Sequence, residues 1–129
     1  MFYMPTKIQY GLYLLITLAK NDRRMSLKEV AGKGKMPYRF LTKIVQDLVK
    51  AKLIEAKEGK GGGYTLAKKP SAIRIKTVLE ALGEQLEITR CLGGEFCSSQ
   101  KTCKLKPVWT RIKRYVDKEM NQVTLKDLI

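Results

Sequence analysis

Three cysteines are the residues of this chain best equipped for chemistry. Cys91, Cys97 and Cys103 stand at C-x5-C-x5-C spacing. Thiolates are the usual protein ligands of iron–sulphur clusters, and they also bind zinc. Structural zinc sites favour closely paired cysteines, and thioredoxin-type dithiols need C-x-x-C; neither spacing occurs here. Gly93, Gly94, Ser98 and Ser99 lie between the thiols and let a loop fold around a bound object. Arg90, Lys101, Lys104 and Lys106 sit nearby in sequence and favour the thiolate form. Spacing alone leaves four readings open: a cluster, a thiol switch without one, zinc, or inert cysteines. The odd count argues against a secreted disulphide framework.

Other chemistries are poorly provided for. The chain has no histidine, so the commonest general base and metal ligand are absent. With no C-x-x-C and no phosphate-loop motif either, an enzyme is not expected. The charge points elsewhere. Lys and Arg number 26 against 12 Asp and Glu, a net of +14. Residues 1–69 carry 15 basic and 5 acidic side chains, and residues 70–129 carry 11 and 7. The excess lies in the N-terminal half and suits a polyanion, either nucleic acid or an anionic membrane surface. The apolar run Tyr10–Ala19 is too short to span a bilayer, and no small-residue cleavage site follows it. A cytoplasmic protein with no membrane partner is expected.

The elements that must position these groups follow from periodicity. Ile8, Leu12, Leu15, Ile16 and Ala19 predict a helix over Tyr3–Asn21, with Thr6 as its N-cap. Ser26-Leu27-Lys28-Glu29 is a capping box, and a short helix over Ser26–Gly32 should end at Gly32 and Gly34. Pro37 suits the first turn of the next helix. There Phe40, Leu41, Ile44, Val45, Leu48 and Val49 form the apolar face, opposite Tyr38, Arg39, Thr42, Lys43 and Gln46. Two helices joined by a short glycine-containing turn make a helix-turn-helix. Leu53–Lys57 and Tyr64–Ala67 then read as strands around the turn Gly59–Gly63. This is the winged-helix order. Ile73–Ile75 adds a short strand, and Lys76–Leu82 a helix. Thr89–Lys104 is a loop, and Thr124–Ile129 a short capped helix. Val108, Ile112, Tyr115, Val116, Met120 and Val123 mark a long helix, Leu105–Val123, whose stripe suits a second subunit or its own domain.

Function follows from that frame. A recognition helix presents its N-terminal side chains to base edges in the major groove. Here these are Tyr38, Arg39, Thr42 and Lys43. Arg39 and Lys43 can pair with guanine, and Tyr38 can meet sugar or phosphate. In the wing, Lys57 and Lys60 can reach phosphate, while Gly61 and Gly62 let the backbone approach closely.

Together these residues resemble the IscR/NsrR family of bacterial winged-helix regulators, across nearly the whole chain. The resemblance rests on Thr6-Lys7 with Tyr10, on Tyr38-Arg39-Phe40-Leu41, and on Leu53-Ile54 through Gly61-Gly62-Gly63-Tyr64. The three cysteines, Trp109 and Val123-Thr124-Leu125 complete it. It implies a homodimeric repressor that binds double-stranded DNA at a pseudo-palindromic operator. Thr6 and Lys7 join the DNA contacts, and Val108, Ile112, Tyr115, Val116 and Met120 form the dimer interface. Cys91, Cys97 and Cys103 would ligate an iron–sulphur cluster, a two-iron two-sulphur cluster being favoured, that senses iron–sulphur, redox or nitric oxide status.

The chain departs from the family pattern at Lys106, where a histidine ligand stands, and has no acid before Asp22. The fourth ligand is left open between Glu95, a serine, a partner-subunit residue and a small molecule. Thr42 replaces a glutamate, and Glu58 an arginine before the wing glycines. The expected architecture is mainly α with a small β-hairpin: a winged helix-turn-helix over 1–70, a linker, short helix and cysteine loop over 71–104, and a dimerisation helix with tail over 105–129.

Overall fold

The structure, a computed structural model, describes residues 4–85, 89–94, 96–99 and 101–129. The first apolar stripe folds as helix α1, Thr6–Lys20, with Ile8, Leu14, Leu15 and Leu18 buried. Its N-cap is Pro5, and Thr6 is the first helical residue rather than the cap expected from sequence. Pro5 holds the chain extended, and its carbonyl takes the amides of Ile8 and Gln9 at 3.0 and 3.2 Å. Tyr3, the expected first residue of this helix, lies outside the described residues.

Helix α2, Leu27–Gly34, starts at the predicted capping box. The Ser26 hydroxyl accepts the Glu29 amide at 3.2 Å, and the Glu29 carboxylate accepts the Ser26 amide at 3.3 Å. Arg23 donates to the other Glu29 oxygen at 2.7 Å. That hydrogen bond, helped by the Ser26 amide, holds the Glu29 carboxyl below its ordinary range. The helix runs through Gly32 and Gly34 instead of breaking there. Gly34 serves packing: a Cβ on it would lie 2.5 Å from Tyr13 Cε1 and 2.8 Å from Met36 Cε. The stop comes one residue later, where Lys35 turns left-handed at φ 49° and the Met36 amide donates to Ala31 O at 3.0 Å.

Helix α3, Tyr38–Lys50, has Pro37 at its N-cap. Leu41, Ile44, Val45 and Leu48 face the core, each buried side chain contributing about 1.5–3 kcal/mol relative to exposure. Phe40, expected on this face, is instead 47% exposed, its ring edge-on to Tyr10 at 5.7 Å. It lies at the boundary of the stripe, where α1 covers one side of the ring. The helix ends with paired bonds, Leu53 N–H to Leu48 O and Lys52 N–H to Val49 O, both 3.0 Å. This closure requires a left-handed residue, and Lys52 takes that position at φ 60°.

Strands β1, Ile54–Lys57, and β2, Gly63–Leu66, form an antiparallel hairpin in which Ile54 faces Leu66 and Lys57 faces Gly63. Met25 bridges to the other edge of β2: its amide donates to Tyr64 O at 3.1 Å and its carbonyl accepts from Tyr64 N–H at 2.8 Å. Gly63 permits this approach, since at φ 144° a Cβ would sit 2.6 Å from Met25 O.

The core does not stop at residue 70. A 3-10 turn at Pro70–Ala72 leads to Ile73, Ile75, Val78, Leu79 and Leu82, all buried. The expected strand at Ile73–Ile75 is a single bridge, Arg74 to Thr124. Helix α4, Ile75–Ala81, follows at once and takes over the chain's pairing. The C-terminus returns beside it: Ile75 N–H donates to Val123 O at 3.0 Å and Leu125 N–H to Ile73 O at 2.8 Å. Leu125 is fully buried, and a 3-10 turn, Leu125–Leu128, is capped by Thr124 and Asp127. Before it runs α5, Leu105–Gln122, no residue of which is fully enclosed. Among the described residues, no helix is long and apolar enough to cross a membrane.

Lys52→Gly should relieve left-handed strain and raise unfolding stability by about 0.5–1 kcal/mol. Gly63→Ala should lower it by about 1–3 kcal/mol, because strain and the Met25 clash add. Urea titrations followed by circular dichroism check both signs.

Candidate nucleic-acid interface and thiol loop

Helix α3 carries a polar face made possible by its buried one. Tyr38, Arg39, Lys43 and Gln46 are exposed, and Thr42 is half-buried. The Thr42 hydroxyl donates back to Arg39 O at 2.7 Å. Lys43 Nζ lies 3.6 Å from Asp47 Oδ1, one turn on, with its side chain largely in solvent. Beside this face, a cavity of about 350 Å³ is lined by Lys7, Pro37, Arg39, Phe40, Lys43 and Ile44.

The wing turn is built on close backbone contact. Gly62 N–H donates to Gly59 O at 3.0 Å, and any Cβ on Gly62 would collide with Lys57 O. Lys57, Glu58, Lys60 and Gly61 are exposed, so two ammonium groups flank one carboxylate at the tip. Because Met25 pairs with Tyr64, the wing's base is anchored to the residue before Ser26, the cap of α2. A groove between α3 and the hairpin is lined by Lys43, Gln46, Asp47 and Lys50 on one side and Ala56 and Tyr64 on the other. The second half of α3 and the strands of the hairpin therefore border one groove. Its cations outnumber its acids, as a phosphate backbone requires.

Thr6 is exposed in the first turn of α1. Lys7, which the resemblance places among the DNA contacts, has its ammonium engaged within the fold. It donates to Leu82 O at 2.7 Å and lies 3.3 Å from Asp47 Oδ2. Asp47 thus joins Lys7 and Lys43, and Lys7 joins α1 to the end of α4. The Lys43–Asp47 spacing was readable as an i,i+4 pair. The Lys7–Leu82 bond spans 75 positions and leaves no local signal.

All three cysteines are free and half-buried. A 3-10 turn over Arg90–Gly93 carries Cys91, whose Sγ lies 3.2 Å from Thr89 Oγ1. Phe96, beside Cys97, is 91% exposed. Glu95, one of the open choices for a fourth ligand, lies outside the described residues. Among the described residues, no three thiol or carboxylate side chains converge to hold an ion. The three thiols are free and partly accessible within one short segment, a donor set open to metal binding or to oxidation.

The stripe of α5 divides between two faces. Lys113, Asp117 and Met120 border a groove with Lys76, Leu79 and Glu80 of α4. Leu105, Val108 and Tyr115 are 59%, 42% and 66% exposed, with Ile112 and Val116 half-buried. Met120, expected at a subunit interface, packs against the chain's own core.

Comparison with known proteins agrees with this geometry. The profile of the Rrf2 family, described as an iron-dependent transcriptional regulator, matches residues 4–129. The HTH-type transcriptional regulator NsrR of Halalkalibacterium halodurans is 36% identical over 124 residues, 93% of this chain and 85% of that protein. The structure of CymR, the global cysteine regulator of B. subtilis, superposes with a TM-score of 0.78 at 29% identity, covering 99% of this chain and 96% of that one. T. potens IscR superposes at 0.76 with 26% identity, over 98% of this chain and 85% of its own.

The two lysines of Asp47 should differ in weight. Lys7→Ala should cost about 1–2 kcal/mol, since it strips a half-buried carbonyl of a charged donor. Lys43→Ala should cost under about 0.5 kcal/mol, as solvent screens an exposed pair. Equal losses in urea unfolding would contradict the bracing role of Lys7.

Proposed function

This chain belongs to the Rrf2 family of winged-helix, DNA-binding transcription regulators, and on that premise we propose that it is a homodimeric repressor whose grip on a pseudo-palindromic operator is set by its cysteine loop. The observation that carries the reading is the exposed polar face of α3, with a groove joining that helix to the hairpin that follows it. Arg39, with its neighbours Tyr38, Thr42 and Lys43, meets base edges. Lys57 and Lys60 meet phosphate, and the backbone of Gly61 and Gly62 lies close to it. Thr6 adds a contact from the first turn of α1. Lys7 acts as a brace and reaches DNA only if Asp47 releases it. Residues 1–70 form the reading unit, 71–104 connect it to the thiols, and 105–129 carry the arm and tail.

The second subunit packs along α5. Leu105, Val108, Ile112 and Tyr115 recur at three- and four-residue spacing on a side that α4 does not cover. A second copy of the same helix is self-complementary to such a stripe, as two-fold symmetry requires.

Cys91, Cys97 and Cys103 hold an iron–sulphur cluster, with two irons favoured and the fourth ligand supplied from outside this set. When bound, the cluster supplies a redox-active centre that reacts with oxygen or nitric oxide. The protein's own part is to present three free, partly accessible thiols within one short segment. A second reading is supported by the likeness to a CymR structure of Staphylococcus aureus described as an oxidized form: with no cluster bound, this regulator responds to oxidation of its free, half-exposed thiols or to a partner protein.

Three measurements test these readings. Lys60→Ala should weaken binding to operator and random duplex alike, and should reduce the slope of log K against log salt by about 0.9 per subunit. Arg39→Ala should instead relax preference among operator variants by about 1–3 kcal/mol at one base pair per half-site. An unchanged salt slope, or a uniform loss for Arg39→Ala, contradicts the assigned contact. Protein purified without oxygen should show visible charge-transfer absorption that Cys91→Ala, Cys97→Ala and Cys103→Ala each abolish. Colourless protein after reconstitution with iron and sulphide favours the thiol-oxidation reading.

A further inference from the structure

Thr42 sits at the centre of the reading face of α3. Tyr38 is four residues before it, Arg39 three before, and Gln46 four after, so all share one side of the helix. These neighbours offer long polar side chains. Thr42 differs, because its hydroxyl proton is already committed to Arg39 O at 2.7 Å. A back-bond of this kind turns the oxygen onto the helix. The hydroxyl then has no second proton for guanine N7 and O6 or for thymine O4. The branch left to this half-buried side chain is its Cγ2 methyl.

We propose that Thr42 is a specificity-determining residue that reads a thymine in each half-site through its C5-methyl group. Among the four bases, thymine alone presents a methyl in the major groove, and the threonine methyl is one of the apolar groups suited to meet it. Arg39 and Lys43 flank this methyl with cations. The expected pattern is therefore a thymine beside positions read by hydrogen bonding. The competing use of Thr42 is its remaining oxygen lone pair, which would accept from the amino group of cytosine or adenine. The inference rests on α3 being the helix that enters the groove.

The experiment starts from operators selected out of random duplexes by the full-length protein. Each thymine, with its symmetry mate, is then replaced by deoxyuridine, which removes the methyl and nothing else. Burying one methyl is worth about 0.8 kcal/mol, so wild type should bind about fourfold more weakly per half-site at one thymine position. Thr42→Ser should show that loss on the unmodified operator and no further loss on the uridine duplex. Thr42→Val, which lacks the hydroxyl but keeps a methyl, should still discriminate the two. Unchanged circular dichroism and urea unfolding show that both variants fold, and the wild-type uridine series stands without them. Indifference of wild type to uridine at every position overturns the proposal, as does discrimination that survives in Thr42→Ser. Failure of the selection to enrich any sequence would overturn the DNA reading itself.

Discussion

Two backbone hydrogen bonds between Met25 and Tyr64 fix the relation on which DNA reading depends. They tie the hairpin to the residue that precedes the cap of α2, and so turn a two-stranded ribbon into part of the core. An isolated hairpin of this size would be marginal in water. Anchored here, its base joins through Tyr64 and Leu66 the same core that the buried face of α3, Leu41, Ile44, Val45 and Leu48, helps to form. Gly63 is the concession that makes the pairing possible, since no side chain fits between β2 and Met25 O.

A second set of backbone bonds does for the C-terminus what the first does for the wing. Ile75 and Leu125 donate across to Val123 and Ile73, returning the chain to the core after the long arm of α5. The arm is thus held at its far end and along α4, while Leu105, Val108 and Tyr115 stay open to another molecule. Lys7 adds a link across the same region, from α1 to the Leu82 carbonyl just past the end of α4 and to Asp47 on α3.

Much of this was legible in the sequence, for physical reasons that differ by element. The capping box at Ser26 and the apolar stripe of α3 are local patterns, and both formed as their spacing requires. Helix ends were less legible. Gly32 and Gly34 read as breakers, yet Gly34 is small because Tyr13 packs against it, and the actual stop falls on Lys35. Phe40 matched the stripe but lies at its edge. The Ile73–Ile75 strand shrank to one bridge because its partner is a tail more than forty residues away. The site divides in the same way. Exposure of Arg39, Lys43, Lys57 and Lys60 follows from helix face and turn, whereas the engagement of Lys7 depends on a carbonyl brought near only by tertiary packing.

In the proposed function, α3 and the wing form one reading surface that two-fold symmetry through α5 duplicates. Hydroxyl-radical footprinting of a selected operator tests that most directly. Two equal protected segments, with centres about 10 base pairs or a multiple of that apart on one face of the duplex, are the predicted result. A single protected segment at saturating protein, or diffuse protection with no symmetry, would contradict it.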